Sequence, residues 1–384
     1  MMPAKRRIVH LVYSFAVGGL ENVIVQLINR LPADRFDHVV LSLTTISDFR
    51  LRIERQDVEF IALDKPSGHA IPLYPRIYRL LRQMRPDVVH SCNLAALEIA
   101  PIAWLAGVPL RIHAEHGWDA HDPDGTNPRY RRLRQCYRPF VSHYVTVSQD
   151  LDDYLARAVG VPSHKHSLIP NGVDTDLFAP ASGPVTPVPG CPFDPQQHWL
   201  VGTVGRLQTV KNQPLLARAF VRVLQENPEL AGRLRLVIVG DGPLRAETEQ
   251  ILAAADLSSH AWLPGARNDI PEILRMLNCF VLPSRTEGTS CTLQEAMACA
   301  LPVIATAVGG NPELIEDGAT GTLVPTDDDV VLAQAIRAYH ARPEMAARHG
   351  QAARQKALAS FALAGAIAAY DRLFSGPTSS PARD

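Results

Sequence analysis

The sequence has few cysteines, almost no net charge and no long apolar segment. Six of its 384 residues are cysteines and none forms a C-x-x-C pair, which predicts reduced, buried thiols as in a cytoplasmic protein rather than a disulfide framework. The net charge of −1 argues against a general nucleic-acid binder. No apolar run approaches the ~20 residues that cross a bilayer, so no transmembrane helix is predicted. A hydrophobic content of 46% is typical of a globular chain, here long enough for two domains.

The first residues, MMPAKRRIVHLVYSFAVGGLE, imitate a secretory signal in their order of basic, apolar and small residues. His10 and the shortness of the apolar stretch favour a different interpretation. We predict a first strand at Ile8–Tyr13, a turn at Gly18-Gly19 and a helix from about Leu20 to Leu31.

Strand and helix patterns alternate along the chain, which is typical of βαβ units and a parallel sheet. The alternation stops at 179–198, where six prolines fall within twenty residues, and then restarts. We predict a first domain at 1–178, a linker or surface loop at 179–198, a second domain at 199–360, and a C-terminal helix and tail at 361–384 that packs back on the first domain. The later predicted strands are His38–Leu43, Asp87–His90, Leu110–Ala114, Tyr144–Val147, Leu200–Val204, Leu234–Val239, Ala261–Leu263, one from Cys279, Val303–Ala307 and Gly321–Val324.

Charged residues follow two strands of the second domain. Arg206 comes just after Leu200–Val204, and Lys211 opens the next helix. Two cations at a helix N-terminus suit a diphosphate, although they would equally be two exposed surface charges. After another strand, GDGPLR lacks the third glycine of a dinucleotide fingerprint, and we interpret it as a tight turn with Pro243 opening a helix.

The segment SRTEGTSCTLQEAMACALP places one glutamate after a buried strand and another in the following helix. Glu287 can accept hydrogen bonds from two adjacent sugar hydroxyls, and Glu295 can hold a ribose diol. The amides of Gly288, Thr289 and Ser290 lie at the start of the helix, where they can face phosphate oxygens. The alternative is that both glutamates are exposed acids at helix ends.

Taken together, these motifs resemble the retaining glycosyltransferases of family 4, which have the GT-B architecture. The resemblance covers almost the whole chain: GGLE at 18–21, AEHGWD around His116, IPNGVDTDLF at 169–178, GRLQTVK at 205–211, VIVGDGP at 237–243, EGTSCTLQEAMACALPVIAT and VGGNPELI at 308–315. NLAALE, EHGWDAHDPDGTN and GTVGRLQTVKNQP more narrowly resemble sugar transferases of bacterial exopolysaccharide and exosortase systems. The chain departs from many relatives at Thr289, where they have an aromatic residue, and at Ala300, where they have glycine.

The resemblance implies an α/β chain with two Rossmann-like, doubly wound domains that face each other across a cleft. It assigns catalytic roles to four residues. Arg206 and Lys211 bind the donor diphosphate and stabilise the leaving group, Glu287 holds the donor sugar, and His116 lies near the reacting sugar. The implied substrate-binding residues are Gly18, Gly19, Glu21, Gly205, Arg267 through its backbone near the base, Gly288, Thr289, Ser290 and Glu295.

The implied reaction transfers a sugar from a UDP- or GDP-linked donor to a glycan or lipid-linked acceptor in exopolysaccharide biosynthesis, with retention of configuration. The donor is a substrate, and we expect no cofactor and no metal, because the DPD at 122–124 and the DTD at 174–176 do not follow a strand of the second domain. Asp174 is instead expected to close a turn. An epimerase of the same architecture would need an acid/base pair around the sugar, and the sequence shows none. A non-catalytic nucleotide-sugar binder is disfavoured by the presence of Arg206, Lys211, Glu287 and Glu295. The missing glycine of the dinucleotide fingerprint disfavours a dehydrogenase.

Two arginine-rich segments, 76–85 and 129–138, lie in the first domain. If the acceptor is lipid-linked, they would attach the enzyme peripherally to the cytoplasmic face of the inner membrane. The alternative is a solvated helix face whose arginines pair with Asp119, Asp122 and Asp124.

Overall fold

The computed structural model describes residues 5–119, 122 and 125–376, which form two α/β units. The first unit runs to Asn171 and resumes at Ala364, and the second comprises Gly172–Leu363. The segment 172–198, including the proline-rich stretch, therefore belongs to the second unit and does not join the two units as a linker. Val188 and Phe193, both buried, anchor that stretch in the second unit's core.

The first unit contains a seven-stranded parallel sheet in the order β3-β2-β1-β4-β5-β6-β7. Its inner strands are buried on both faces, which explains why they are continuous apolar runs such as IVHLV. The strands are β1 Arg6–Val12, β2 Phe36–Ser42, β3 Glu59–Ala62, β4 Val88–Cys92, β5 Leu110–Glu115, β6 His143–Thr146 and β7 His166–Leu168. The helices are α1 Gly19–Arg30, α2 Tyr74–Met84, α3 Asn93–Leu97, α4 Ala100–Leu105, α5 Pro128–Tyr137 and α6 Gln149–Tyr154, with the later α14 Leu363–Ser375.

The second unit contains a six-stranded parallel sheet in the order β10-β9-β8-β11-β12-β13. The two faces of this sheet pack against separate apolar clusters. The strands are β8 Trp199–Val204, β9 Leu234–Val239, β10 Ala261–Gly265, β11 Cys279–Leu282, β12 Val303–Thr306 and β13 Thr322–Val324. The helices are α7 Gln213–Glu226, α8 Arg245–Ala254, α9 Ile270–Met276, α10 Cys291–Ala298, α11 Asn311–Leu314, α12 Asp329–Ala341 and α13 Pro343–Ser360.

Each sheet reverses its strand order at one place, between β1 and β4 in the first unit and between β8 and β11 in the second. Connections leave in opposite directions there, so a crevice opens at the carboxyl ends of the two strands, where ligands of such sheets bind. This confirms the predicted α/β, doubly wound arrangement. Judged by length and hydropathy, none of the described helices is a candidate for a membrane span.

Three buried histidines lie side by side across the sheet of the first unit, and we call them the histidine array. His10 on β1 contacts His38 on β2 through Nε2 and Nδ1 at 3.0 Å, and it contacts His90 on β4 through both Nδ1 atoms at 3.1 Å. Burial lowers the pKa of His38 and His90 to about 3 and that of His10 well below its usual value, so all three rings are neutral. Tyr370 and Phe374 of α14 pack against the array.

Candidate active site

The charged residues predicted to bind the donor lie at the reversal point of the second sheet. Arg206 and Lys211 follow β8, and Glu287 follows β11. These two strands are hydrogen-bonded neighbours, with Val201 opposite Cys279. The carboxyl ends of parallel neighbours lie at the same edge of a sheet, so the topology brings together residues that are 76 positions apart in sequence.

Lys211 and Glu287 form a short ion pair, with 2.6 Å between Nζ and Oε1. Ser284 Oγ donates a second hydrogen bond, also of 2.6 Å, to the same oxygen. Glu287 is 8% exposed, so water screens this pair little. Both bonds are charge-assisted and therefore stronger than neutral ones. Ser284 was not predicted from the sequence; its position three residues before Glu287, at the strand exit, is the signal that could have indicated it.

The VGGN segment at 308–311 holds the backbone around Glu287. Gly309 has a φ of +50°, and a Cβ atom on it would lie 1.8 Å from the carbonyl oxygen of Glu287. The amide of Gly310 donates to the carbonyl oxygen of Gly288 at 3.0 Å. Only glycine allows this approach, which gives the VGGN motif a structural reason.

The glycines of GDGPLR hold the loop that carries Arg206. A Cβ atom on Gly240 would lie 2.0 Å from the carbonyl oxygen of Gly205, and one on Gly242 would lie 2.5 Å from that of Leu207. The turn interpretation is therefore confirmed. The expected helix start at Pro243 is wrong, because α8 begins at Arg245 after the turn has closed through the bond from the Leu244 amide to the Leu207 carbonyl.

A further set of contacts fastens the loop that carries Lys211 to the loop that carries Glu287. The Arg285 amide donates to the Val210 carbonyl at 2.8 Å. Asp327 Oδ1 accepts hydrogen bonds from Asn212 Nδ2 and from Arg285 Nε, each at 2.9 Å. Asp327 thus bridges the Lys211 loop and the Glu287 loop, and this fixes the position of the Lys211 side chain relative to that of Glu287.

Gly288, Thr289 and Ser290 connect Glu287 to helix α10. Ser290 caps the helix, its Oγ accepting a hydrogen bond from the Leu293 amide at 3.3 Å, and Thr289 is 8% exposed. The positive end of the helix dipole thus lies beside the ion pair, which suits an anionic ligand. Glu295 lies in the second turn of α10 and is partly exposed.

Two predicted arginines have different surroundings. Arg206 has an exposed side chain that forms no ion pair with any residue the structure describes. Arg267 is held by Asp269, at 2.8 Å from Nε and 2.5 Å from Nη2, and it stacks over the Trp262 ring. Hydrogen bonding to Asp269 raises the pKa of Arg267. Arg267 follows β10, the sheet edge two strands from β8, and the role of its backbone in binding a base stays a prediction.

The remaining predicted residues lie in the first unit. Gly18 precedes α1, Gly19 begins it, and the carboxylate of Glu21 folds over Gly18, so a Cβ there would lie 2.1 Å from Oε2. His116 follows β5, and its amide donates to Asn93 Oδ1 at 2.8 Å. Burial lowers the pKa of His116 to about 4, so the ring is neutral near pH 7 and can hydrogen-bond a hydroxyl. Asn93 was not predicted; its left-handed φ of +60° after β4 marks it as a constrained position.

Within the described residues, one group could be considered for a metal ion: His90, Cys92 and His116, whose donor atoms lie within 4.8 Å of one another. The Cys92 sulfur is 3.8 Å from Nε2 and 4.0 Å from Nδ1 of His90, so it faces neither lone pair directly. His90 Nδ1 also already contacts His10. The group is therefore not arranged as a metal site. Asp174 instead closes a turn as expected, since its Oδ1 accepts from the amides of Asp176 and Leu177.

The arginine-rich segments differ in exposure. The arginines of 76–85 are exposed and form no ion pair with any described residue. In the second segment Arg134 is buried and pairs with Glu115 at 2.7 Å, not with the aspartates considered from the sequence. Of those aspartates, Asp124 lies outside the described residues.

Glycosyltransferase family models match both units. The model described as Glycosyltransferase Family 4 matches residues 17–177, and the model described as Glycosyl transferases group 1 matches residues 193–356. The two matches cover strands β2 to β7 of the first sheet, the whole second sheet, and the loops that carry Lys211 and Glu287.

Known proteins are similar to this chain over most of its length. The UDP-Gal:alpha-D-GlcNAc-diphosphoundecaprenol alpha-1,3-galactosyltransferase of Escherichia coli is 28% identical over 336 residues, 85% of this chain and 85% of that protein. EpsF of Bacillus subtilis (strain 168) is 26% identical over 325 residues, 79% of this chain and 80% of EpsF. The crystal structure of Anabaena HepE with UDP-glucose has a TM-score of 0.80 and 22% identity, over 95% of this chain and 98% of HepE. The chain is thus a glycosyltransferase of the family 4 type, with the two Rossmann-like units of the GT-B fold.

Proposed function

We propose that this enzyme transfers a sugar from a UDP- or GDP-linked donor to a glycan or lipid-linked acceptor with retention of configuration, in exopolysaccharide biosynthesis at the cytoplasmic side of the inner membrane. The observation that carries the proposal is the contact between Lys211 and Glu287 at the reversal point of the second sheet. A cation for the diphosphate and a carboxylate for the sugar are in direct contact there, 2.6 Å apart, so one bound sugar diphosphate can reach both groups.

The chemistry follows from the charge that develops when the sugar–phosphate bond breaks. The leaving diphosphate gains negative charge, and fixed positive groups stabilise it without reorganisation. Lys211, the exposed guanidinium of Arg206 and the N-terminus of α10 supply that positive potential. The ammonium group of Lys211 has three donors, so it can bind a phosphate oxygen while it keeps Glu287. This supports a reaction that needs no divalent metal.

The relatives favour particular substrates. The Escherichia coli relative is named for UDP-galactose and a diphosphoundecaprenol acceptor, and HepE was crystallised with UDP-glucose. A UDP-linked donor and a lipid-linked acceptor are therefore the first to test. The roles of Gly18, Gly19, Glu21 and His116 toward these substrates remain part of the proposal.

A lipid-linked acceptor would bring the enzyme to a membrane, and one surface of the first unit suits this. Arg82 Nη1 of α2 donates to the carbonyl of Ala106 at 3.5 Å, which places Arg82 at the end of α4, the helix that carries the exposed Trp104 and Leu105. These two side chains are 54% and 62% exposed. Arginines together with an exposed tryptophan are typical of a surface that contacts anionic lipid headgroups.

A panel of UDP-glucose, UDP-galactose, UDP-N-acetylglucosamine and GDP-mannose tests the donor. The true donor raises the melting temperature, since a ligand that binds only the native state stabilises it. Lys211→Ala should remove this shift, and Lys165→Ala, which alters an exposed lysine of the first unit, should keep it. Product analysis with a polyprenyl-diphosphate sugar then separates transfer from epimerisation and from binding without turnover; either of the last two outcomes contradicts the proposal.

A further inference from the structure

The two oxygens of the Glu287 carboxylate have different surroundings. Lys211 Nζ and Ser284 Oγ both approach Oε1 at 2.6 Å. A carboxylate oxygen offers two lone-pair sites, so these two donors occupy the acceptor capacity of Oε1. Any sugar hydroxyl that donates to Glu287 must therefore use Oε2, including either of the two adjacent hydroxyls that the sequence predicts as donors to this carboxylate.

Ser284 is built to hold this orientation. Its side chain is fully buried, at the exit of β11, and its hydroxyl has a single hydrogen to donate. Its backbone carbonyl is in turn held by Thr306 Oγ1 at 2.5 Å, and Asn311 Nδ2 binds the Thr306 carbonyl at 2.9 Å. The serine is thus fixed by β12 and α11, and it transmits that rigidity to the side chain of Glu287.

The second partner of Oε1 is less constrained. The side chain of Lys211 is 24% exposed, and under the proposed function it also binds the donor diphosphate. When Lys211 also donates a hydrogen bond to phosphate, the hydrogen bond from Ser284 holds the Glu287 carboxylate in its orientation. A glutamate has three rotatable side-chain bonds, and fixing them in advance removes an entropic cost from donor binding.

We propose that Ser284 is a positioning residue. Together with Lys211 it fills the hydrogen-bond acceptor sites of Glu287 Oε1, so that only Oε2 can accept a hydrogen bond from a free hydroxyl of the donor sugar. This inference rests on the proposed function and deepens it. It assigns the donor to sugars that carry an unmodified hydroxyl at the position facing Oε2. A deoxy or O-alkylated sugar at that position would leave Oε2 without a donor in a water-poor site, which is unfavourable.

The test compares three variants. Ser284→Ala removes the hydroxyl, and Ser284→Cys fills nearly the same space with a much weaker donor. Ser42→Ala is the matched control, because Ser42 is also fully buried, lies in the first unit and has its hydroxyl within hydrogen-bond distance of two backbone carbonyls, that of Thr45 at 2.9 Å and that of Tyr13 at 3.2 Å. Both Ser284 variants should lose about 10- to 100-fold in kcat/KM for the nucleotide sugar, the range for a lost hydrogen bond to a charged group. Ser42→Ala should keep kcat/KM within about twofold.

Two further readouts distinguish positioning from general damage. The affinity for free UDP, which has no sugar, should change by less than about threefold in the Ser284 variants, since the phosphate contacts stay intact. Wild-type enzyme should discriminate against one mono-deoxy analogue of its donor, and Ser284→Ala should discriminate less. The inference is overturned if either Ser284 variant keeps wild-type kcat/KM, or if UDP affinity falls as far as turnover does. If wild-type enzyme binds UDP but turns over no nucleotide sugar, the proposed function fails instead, and the inference fails with it.

Discussion

Acidification should destabilise the first unit through the histidine array of His10, His38 and His90. The pKa of each ring is lowered from 6.5, to about 3 for His38 and His90. A lowered pKa means that the native state binds fewer protons than the unfolded state. The array's contribution to stability is therefore complete above pH 6.5 and is lost as the pH falls toward about 3.

The magnitude follows from proton linkage. For a ring that stays neutral in the native state and titrates normally when unfolded, the free energy of unfolding falls by about 1.4 kcal/mol between about pH 7.5 and 5.5, so three rings contribute about 4 kcal/mol. Neighbouring charges change this little, because Arg55 lowers and Asp57 raises the pKa of His38, while burial dominates for every ring. His113 and His116 face His90 and lower its pKa further.

Hydrogen exchange measured by mass spectrometry on peptides from β1 and β4 reports the opening of this unit alone. His90→Gln should recover about 1.4 kcal/mol of the pH-dependent loss, because one titrating ring is removed. His164→Gln, at an exposed position, should recover nothing. The comparison uses differences between pH values, so any uniform destabilisation by the substitution cancels. Protection that falls equally in wild type and His90→Gln would refute the reasoning.

Four other predictions concern the second unit and the membrane surface. Glu287→Ala should abolish transfer whereas Glu295→Ala should mainly weaken donor binding, by ~1.5–3 kcal/mol; normal turnover by Glu287→Ala contradicts this. EDTA should leave the rate within about twofold whereas Arg206→Ala or Lys211→Ala should lower it by ~10²-fold, and complete loss in EDTA restored by Mn²⁺ or Mg²⁺ argues against a metal-free site. Ala300 has a φ of +60°, so Ala300→Gly should raise the free energy of unfolding by about 1 kcal/mol in urea titrations, and a lower value is the contrary result. The enzyme should sediment with anionic vesicles at low salt and be released at high salt; absence of binding at low salt favours solvated arginines.

The sequence predicts the inner strands of both sheets because they are buried on both faces and form long apolar runs. It misses β3, Glu59–Ala62, and β7, His166–Leu168, since these short edge strands are only partly buried and carry polar residues. The same limit explains why the sequence does not predict the burial of Arg134. A run of arginines resembles a solvated surface, and nothing local reveals that Glu115, nineteen residues earlier, lies opposite this one in the core.

The candidate site shows a similar division. Strand-end positions and charge are enough to single out Lys211 and Glu287, because the topology of parallel sheets fixes where strand ends meet. The hydrogen bond from Ser284, the contact of Gly309 with the Glu287 carbonyl and the bridging role of Asp327 depend on side-chain directions and loop paths. Those are set by packing between segments distant in sequence, which a linear pattern does not encode.

The return of helix α14 to the first unit has a consequence for synthesis on the ribosome. The second unit is one contiguous segment, Gly172–Leu363, so its core can close as soon as that segment has emerged. The first unit is begun earlier but finished later, because Tyr370 and Phe374 complete its core. A nascent chain that pauses before α14 thus carries a folded second unit and an incomplete first unit. In that state the histidine array is exposed to water and can be protonated. Chaperones would therefore find their binding surface on the part of the protein that was made first.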